Sequence, residues 1–164
     1  MGADRPSHAE GLSPAWRELA YDLVSPAYVA AMSKIAGLDL SSALIEINVI
    51  HYSPGAWLGP HVDLKEKLAT HVLYFNQAWE RENGGCLSIL RSANPADKIA
   101  EIDPIVGNSA LVVRSNSSWH MVSKVVPNCS TSRRSMNVIF HSPGSISTMW
   151  PPGDSPELRD YEAI

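Results

Sequence analysis

From Ala43 to His141 the chain is broken by turn residues into short apolar runs, and no other feature constrains the fold as much. Ala43–Tyr52 alternates apolar and polar residues in its middle, as a half-buried strand does, before Ser53-Pro54-Gly55 turns the chain. The segment around His61 comes next, then Ala69–Asn76, then Cys86–Leu90 behind the Asn83-Gly84-Gly85 turn. Lys98–Ile102 ends at Asp103-Pro104, and Ser109–Arg114 follows Gly107-Asn108. Trp119–Val126 and Arg133–His141, joined by Pro127 to Ser132, bring the total to about eight strands. Short strands in succession predict a mainly β, double-stranded β-helix (jelly roll) rather than an α/β fold.

Two helices precede this region. Ser13-Pro14 offers an N-cap with proline at the first helical position, and Ser25-Pro26 repeats the signal. Tyr28, Ala31, Met32, Ile35 and Ala36 form an apolar stripe that Gly37 ends. Both helices are expected to pack on the outside of the roll. The segment after Ser142 holds Pro143, Pro151, Pro152 and Pro156 and reads as an irregular covering segment or lid. The expected organisation is one domain over 1–164, with a helical N-terminal region over 1–42, a jelly-roll core over 43–141 and a tail over 142–164. At 164 residues such a domain buries a core without staples.

Composition narrows the partners. The formal charge of −4 is spread along the chain, and no run of Lys and Arg is present to follow a phosphate backbone. Cys86 and Cys129 lie far apart without a CxxC pattern, which suits a reducing compartment. Residues 1–13 include Asp4, Arg5 and Glu10 without an apolar run, and no later stretch is long enough to span a bilayer. A soluble cytoplasmic protein, with neither nucleic acid nor membrane as partner, is the expectation. The sequence is silent on oligomeric state.

The chemistry-bearing stretch is Trp57-Leu58-Gly59-Pro60-His61-Val62-Asp63. In extended chain, residues i and i+2 share a face, so His61 and Asp63 can grip one ion together. A second histidine from a distant strand would complete the 2-His-1-carboxylate face of non-haem Fe(II) oxygenases. Of His8, His51, His71, His120 and His141, His120 is the best placed, in a late strand 59 residues after His61. Arg133-x-Ser135 opens the last strand, and the period-two rule puts guanidinium and hydroxyl on one face, where they can hold a carboxylate. Arg134 must point the other way.

In these features the chain resembles the Fe(II)- and 2-oxoglutarate-dependent dioxygenases, in particular the prolyl 4-hydroxylase-like branch. His61-x-Asp63 and His120 match the iron triad, and Arg133-x-Ser135 matches the pair that binds the far carboxylate of 2-oxoglutarate. Tyr52, and Tyr74 in Val72-Leu73-Tyr74-Phe75-Asn76, fall where the branch has tyrosines lining the cosubstrate pocket. Gly84-Gly85-Cys86-Leu87 and Gly107 to Val113 resemble its Gly-Gly-x-Leu strand start and its turn-strand before the distal histidine. The basic residue usually lies somewhat closer to the distal histidine than the thirteen positions here, a difference the loop Pro127 to Ser132 would absorb.

The resemblance implies Fe(II) held by His61, Asp63 and His120, with 2-oxoglutarate and O2 as cosubstrates and oxidation of an unactivated C–H bond as the outcome. Halogenating relatives replace the carboxylate ligand by a small residue, so Asp63 implies hydroxylation, with desaturation, cyclisation or epoxidation using the same ligands. Trp57, Trp79, Arg114 and Trp119 are candidates for the pocket rim. With little chain beyond the roll and two helices, a small metabolite or amino acid is the expected substrate and a prolyl residue in a peptide the alternative. The rival class is a non-enzymatic, cupin-like metal-binding jelly roll. A closed structural zinc site would want four protein ligands, usually including Cys, and gives Arg133 and Ser135 no role.

Overall fold

A computed structural model describes residues 11–145. The expected tail falls almost wholly outside the described residues, as does His8. Helix α1 (Pro14–Leu23) begins after Ser13 and helix α2 (Pro26–Ala36) after Ser25. Only the second serine caps with its side chain, accepting the Tyr28 N–H at 3.2 Å. Gly37 ends α2 at φ 67°, a left-handed conformation that a Cβ would strain.

Eight strands follow: β1 (Leu44–Tyr52), β2 (Leu58–His61), β3 (Lys67–Tyr74), β4 (Leu87–Leu90), β5 (Lys98–Ile102), β6 (Ser109–Val113), β7 (His120–Val122) and β8 (Arg133–His141). They form two four-stranded antiparallel sheets, ordered β1-β8-β3-β6 and β2-β7-β4-β5, and the chain passes repeatedly from one to the other. This is the jelly roll expected from the run of short strands. One strand is shorter than its apolar pattern suggested. Within Trp119–Val126 only His120–Val122 joins the ladder, because Val125 and Val126 bond instead to the loops at Ala56 and Asn83.

Alternation along β3 and β8 creates two cores. Ala69 on β3 and Met136, Val138 and Phe140 on β8 face outward and pack with Leu23, Met32 and Leu40 of the helical region. Phe140 is fully buried there, and its removal from water is worth about 1.5–3 kcal/mol. The opposite faces point between the sheets, where Val72 and Tyr74 meet Leu87, Val112 and Val122. Both faces of β3 and β8 are therefore covered. A polar residue on the inward face must consequently find a partner inside the roll.

Candidate metal centre and adjoining anion pocket

The β2–β7 pairing determines where His61 points. Leu58 pairs with Val122 and His61 with His120, so three steps along β2 match two along β7. The extra residue is a β-bulge at Gly59-Pro60, and proline is tolerated there because the ladder is already interrupted. Without the bulge, Pro60 would oppose His120 and His61 would turn to the other face. With it, the two imidazoles lie directly opposite, ring centroids 4.2 Å apart.

Asp63 lies two residues beyond His61, just past the end of β2, and its side chain returns to the same side. The ligand atoms of His61, Asp63 and His120 all lie within 4.8 Å of one another, close enough to bind one ion. Each histidine Nδ1 lies 2.9 Å from the carbonyl two residues earlier, Gly59 O for His61 and Ser118 O for His120. A Nδ1–H donated to each carbonyl leaves both Nε2 lone pairs for a metal. Burial lowers the His120 pKa, which favours the neutral imidazole a metal needs.

The Asp63 carboxylate is 6 % exposed and is held at both oxygens. Lys67 Nζ donates to Oδ1 at 2.8 Å and Thr70 Oγ1 to Oδ2 at 3.2 Å. Burial pushes the Asp63 pKa up, but the Lys67 hydrogen bond and charge, with the two imidazoles, bring it below the ordinary carboxylate value. Lys67 and Thr70 are three residues apart, and in a regular strand they would face opposite ways. A bulge between Lys67 and Ala69, seen in the pairing with β8, restores Lys67 to the inward face.

On the facing sheet, β8 brings Arg133 and Ser135 inward while Arg134 is exposed. Arg133 is 3 % exposed, and its Nε donates to Gly85 O at 2.8 Å while Nη1 donates to Ser135 Oγ at 2.7 Å. The Tyr52 and Tyr74 rings flank its guanidinium, with centroids 5.1 and 5.2 Å from Cζ. Burial raises both tyrosine pKa values, partly offset by Arg133, so both remain phenols. Among the described residues no carboxylate pairs with Arg133. The buried Tyr74 hydroxyl has no hydrogen-bond partner among the described residues beyond its interaction with the Arg133 guanidinium. A buried cation with no carboxylate partner and a phenol hydroxyl beside it fit the carboxylate of a small anion.

The remaining rim candidates separate. Trp57 is 58 % exposed, its ring lying against Gly59, and Trp79 is tied down by Nε1 donating to Gly84 O at 2.7 Å. Trp119 is half-buried and lines a cavity of about 380 Å³ with Ile89, Ile102 and Val112, next to His120 but without any of the triad residues. Arg114 Nε lies 3.4 Å from the main-chain oxygen of Asp63. Cys86 and Cys129 are buried away from the cluster, their thiols on Asp103 and the Thr131 carbonyl. His71 bonds Tyr28, and His141 bonds Glu46. Sequence reasoning missed Lys67, Thr70 and the Gly85 carbonyl. Thr70 shares the parity of Tyr74, so period two could have shown it; Lys67 could not be found that way, because the bulge breaks the count.

The match to known proteins follows the same residues. The family model of the 2OG-Fe(II) oxygenase superfamily matches residues 47–141, which include all three cluster residues together with Tyr52, Tyr74, Arg133 and Ser135. None of the curated proteins matches the chain. Among solved structures, a prolyl-4-hydroxylase of Pseudomonas putida superposes with a TM-score of 0.59 at 23 % identity, covering 83 % of this chain and 73 % of its own. A 2OG-Fe(II) oxygenase-family oxidoreductase of Burkholderia pseudomallei gives 0.58 at 16 % identity, and this chain spans 57 % of its length against 79 % of its own. AviO1 of Streptomyces viridochromogenes Tue57 gives 0.55 at 13 % identity, covering 85 % of this chain and 66 % of its own. With the family model covering more than half of its length, the chain belongs to the 2OG-Fe(II) oxygenase superfamily.

Proposed function

We propose that this oxygenase hydroxylates an unactivated C–H bond of a small metabolite or amino acid. The superfamily uses Fe(II), 2-oxoglutarate and O2. The observation that carries the reading is the buried Arg133 guanidinium, without a carboxylate partner among the described residues, on the inward face of the roll that also holds the His61, Asp63 and His120 cluster. When bound, iron and 2-oxoglutarate supply the oxidising chemistry, in which the keto acid loses CO2 to become succinate and one oxygen atom of O2 enters the product.

The chain's own residues bind and orient. His61, Asp63 and His120 would hold the metal, with Nε2 of each imidazole and the Asp63 carboxylate as donors. Arg133 and Ser135 anchor the distal carboxylate of 2-oxoglutarate, with Tyr52 and Tyr74 walling the pocket against water. Lys67 and Thr70 hold the Asp63 carboxylate in place. Asp63 supports hydroxylation over halogenation, since its carboxylate occupies the coordination position a halide would need. A second reading, hydroxylation of a prolyl residue in a peptide, is favoured by the likeness to the Pseudomonas putida prolyl-4-hydroxylase.

Two measurements test the proposal. Anaerobic protein with Fe(II) and 2-oxoglutarate should develop a weak visible charge-transfer band, and Asp63→Ala should abolish it. A band that survives in the variant refutes the triad. Succinate release screened against metabolite and peptide pools then separates the two substrate readings.

A further inference from the structure

Strand β6 ends at Val113, but its ladder runs one residue further, with the Arg114 N–H donating to Leu68 O at 3.0 Å. Ala110 and Val112 face between the sheets, so Arg114, two residues beyond Val112, continues the inward face to the rim of the roll. Its Nε reaches the main-chain oxygen of Asp63 at 3.4 Å. The guanidinium is thus held beside the segment that carries the carboxylate of the cluster, and among the described residues its two terminal nitrogens have no partner, so they can form a fork.

Two facts bear on this arginine. Arg114 is half-buried, yet among the described residues no carboxylate pairs with it, whereas Lys67, Arg81 and Lys98 each have one. The Asp63 carboxylate is already committed to the Lys67 ammonium, so its charge is not fully available to the Arg114 guanidinium. With Fe(II) and the 2-oxoglutarate dianion in place, the positive charges of the metal, Lys67, Arg114 and Arg133 exceed the negative charges of Asp63 and the keto acid by about two. At a partly desolvated rim that surplus favours an anionic group on the incoming molecule and disfavours a cationic one.

We propose that Arg114 is a specificity-determining residue that receives the carboxylate of the substrate through its terminal nitrogens, so that the substrate class is small carboxylates, including free amino acids. The inference rests on the proposed oxygenase reading and narrows it. Internal residues of a peptide other than Asp and Glu have no carboxylate to offer at this position and are disfavoured.

The test uses calorimetry on protein loaded with Zn(II) and 2-oxoglutarate, which binds without turnover. Probes are matched pairs that differ only in the charged group: L-proline and L-prolinamide, L-leucine and L-leucinamide, benzoate and benzamide. At least one carboxylate should bind about tenfold or more tightly than its amide, as expected for charge-assisted hydrogen bonds. Arg114→Gln should remove that difference, and Arg114→Lys, which keeps charge but not the fork, should restore some of it. The proposal is overturned if no carboxylate binds the parent protein better than its amide, or if Arg114→Gln keeps the preference. Failure of the oxygenase reading shows separately, as absence of 2-oxoglutarate binding in the same calorimeter before any probe is added.

Discussion

Replacing Arg133 by Gln removes a buried charge while keeping an amide that can still donate within the pocket. The guanidinium is 3 % exposed, and its protein partners are two neutral acceptors, Gly85 O and Ser135 Oγ, and the two tyrosines, Tyr52 and Tyr74. Burial lowers its pKa, the sign of a cation short of compensation. Two opposing effects follow for the free fold: the variant loses charge-assisted hydrogen bonds but no longer desolvates a charge. They offset, and the free protein's stability should change by no more than about 1–2 kcal/mol. In the proposed complex the bound state has no such offset, because the distal carboxylate of 2-oxoglutarate would be left buried without its cation. That costs about 3–5 kcal/mol, a weakening of Kd by roughly a hundredfold to several thousandfold. At a keto acid concentration of 100 Kd the parent protein gains about 2.7 kcal/mol from ligand, and at the same concentration the variant should gain essentially none. Anaerobic calorimetry with Fe(II) measures the first quantity and urea unfolding with and without 2-oxoglutarate the second. A Kd weakened by less than about tenfold, or equal weakening from Arg134→Ala on the exposed face, refutes the assignment.

Three other outcomes follow from the geometry. Thr70→Val removes the hydroxyl on Asp63 Oδ2 and should lower metal affinity by about tenfold or more, measured by competition with a chelator; unchanged affinity would show that the hydroxyl does not position the ligand. Gly84 has φ 68°, and a Cβ there would lie 2.0 Å from the Lys124 carbonyl oxygen. Gly84→Ala should therefore destabilise the fold by more than about 2 kcal/mol in urea unfolding and weaken 2-oxoglutarate binding through the adjacent Gly85 carbonyl. His71 is buried against Tyr28, and burial lowers its pKa. The unfolded chain then takes up a proton first, so this contribution to stability is whole above the ordinary histidine pKa of about 6.5 and is lost as pH falls from there toward the lower folded value. Unfolding midpoints of metal-free protein between neutral pH and about pH 5.5 should show this slope, reduced in His71→Gln.

Much of the fold could be read locally, because periodicity and turn chemistry are properties of a few adjacent residues. Lys98–Ile102 and Arg133–His141 are strands over the spans their sequence suggests, and Ser25, Pro26 and Gly37 bound a helix as their backbone preferences require. Trp119–Val126 was overestimated, since an apolar run cannot show that Val125 will bond to a loop rather than a strand.

His61-Val62-Asp63 had the residue types of a metal grip in the sequence alone, but whether His61 faces inward depended on the extra residue at Gly59-Pro60, which only pairing with β7 reveals. The same holds for Lys67, turned toward Asp63 by a bulge that its own sequence does not announce. Sequence by itself determined the strands, the helix ends and the chemical types on each face, through interactions spanning one to four residues. Tertiary structure alone decided the register that sets His61 opposite His120, the burial that strips Arg133 of water, and the absence of an ion pair to Arg114 among the described residues. Each of those depends on which distant strand lies alongside, and a strand shifted by one residue would turn every one of its side chains to the other face.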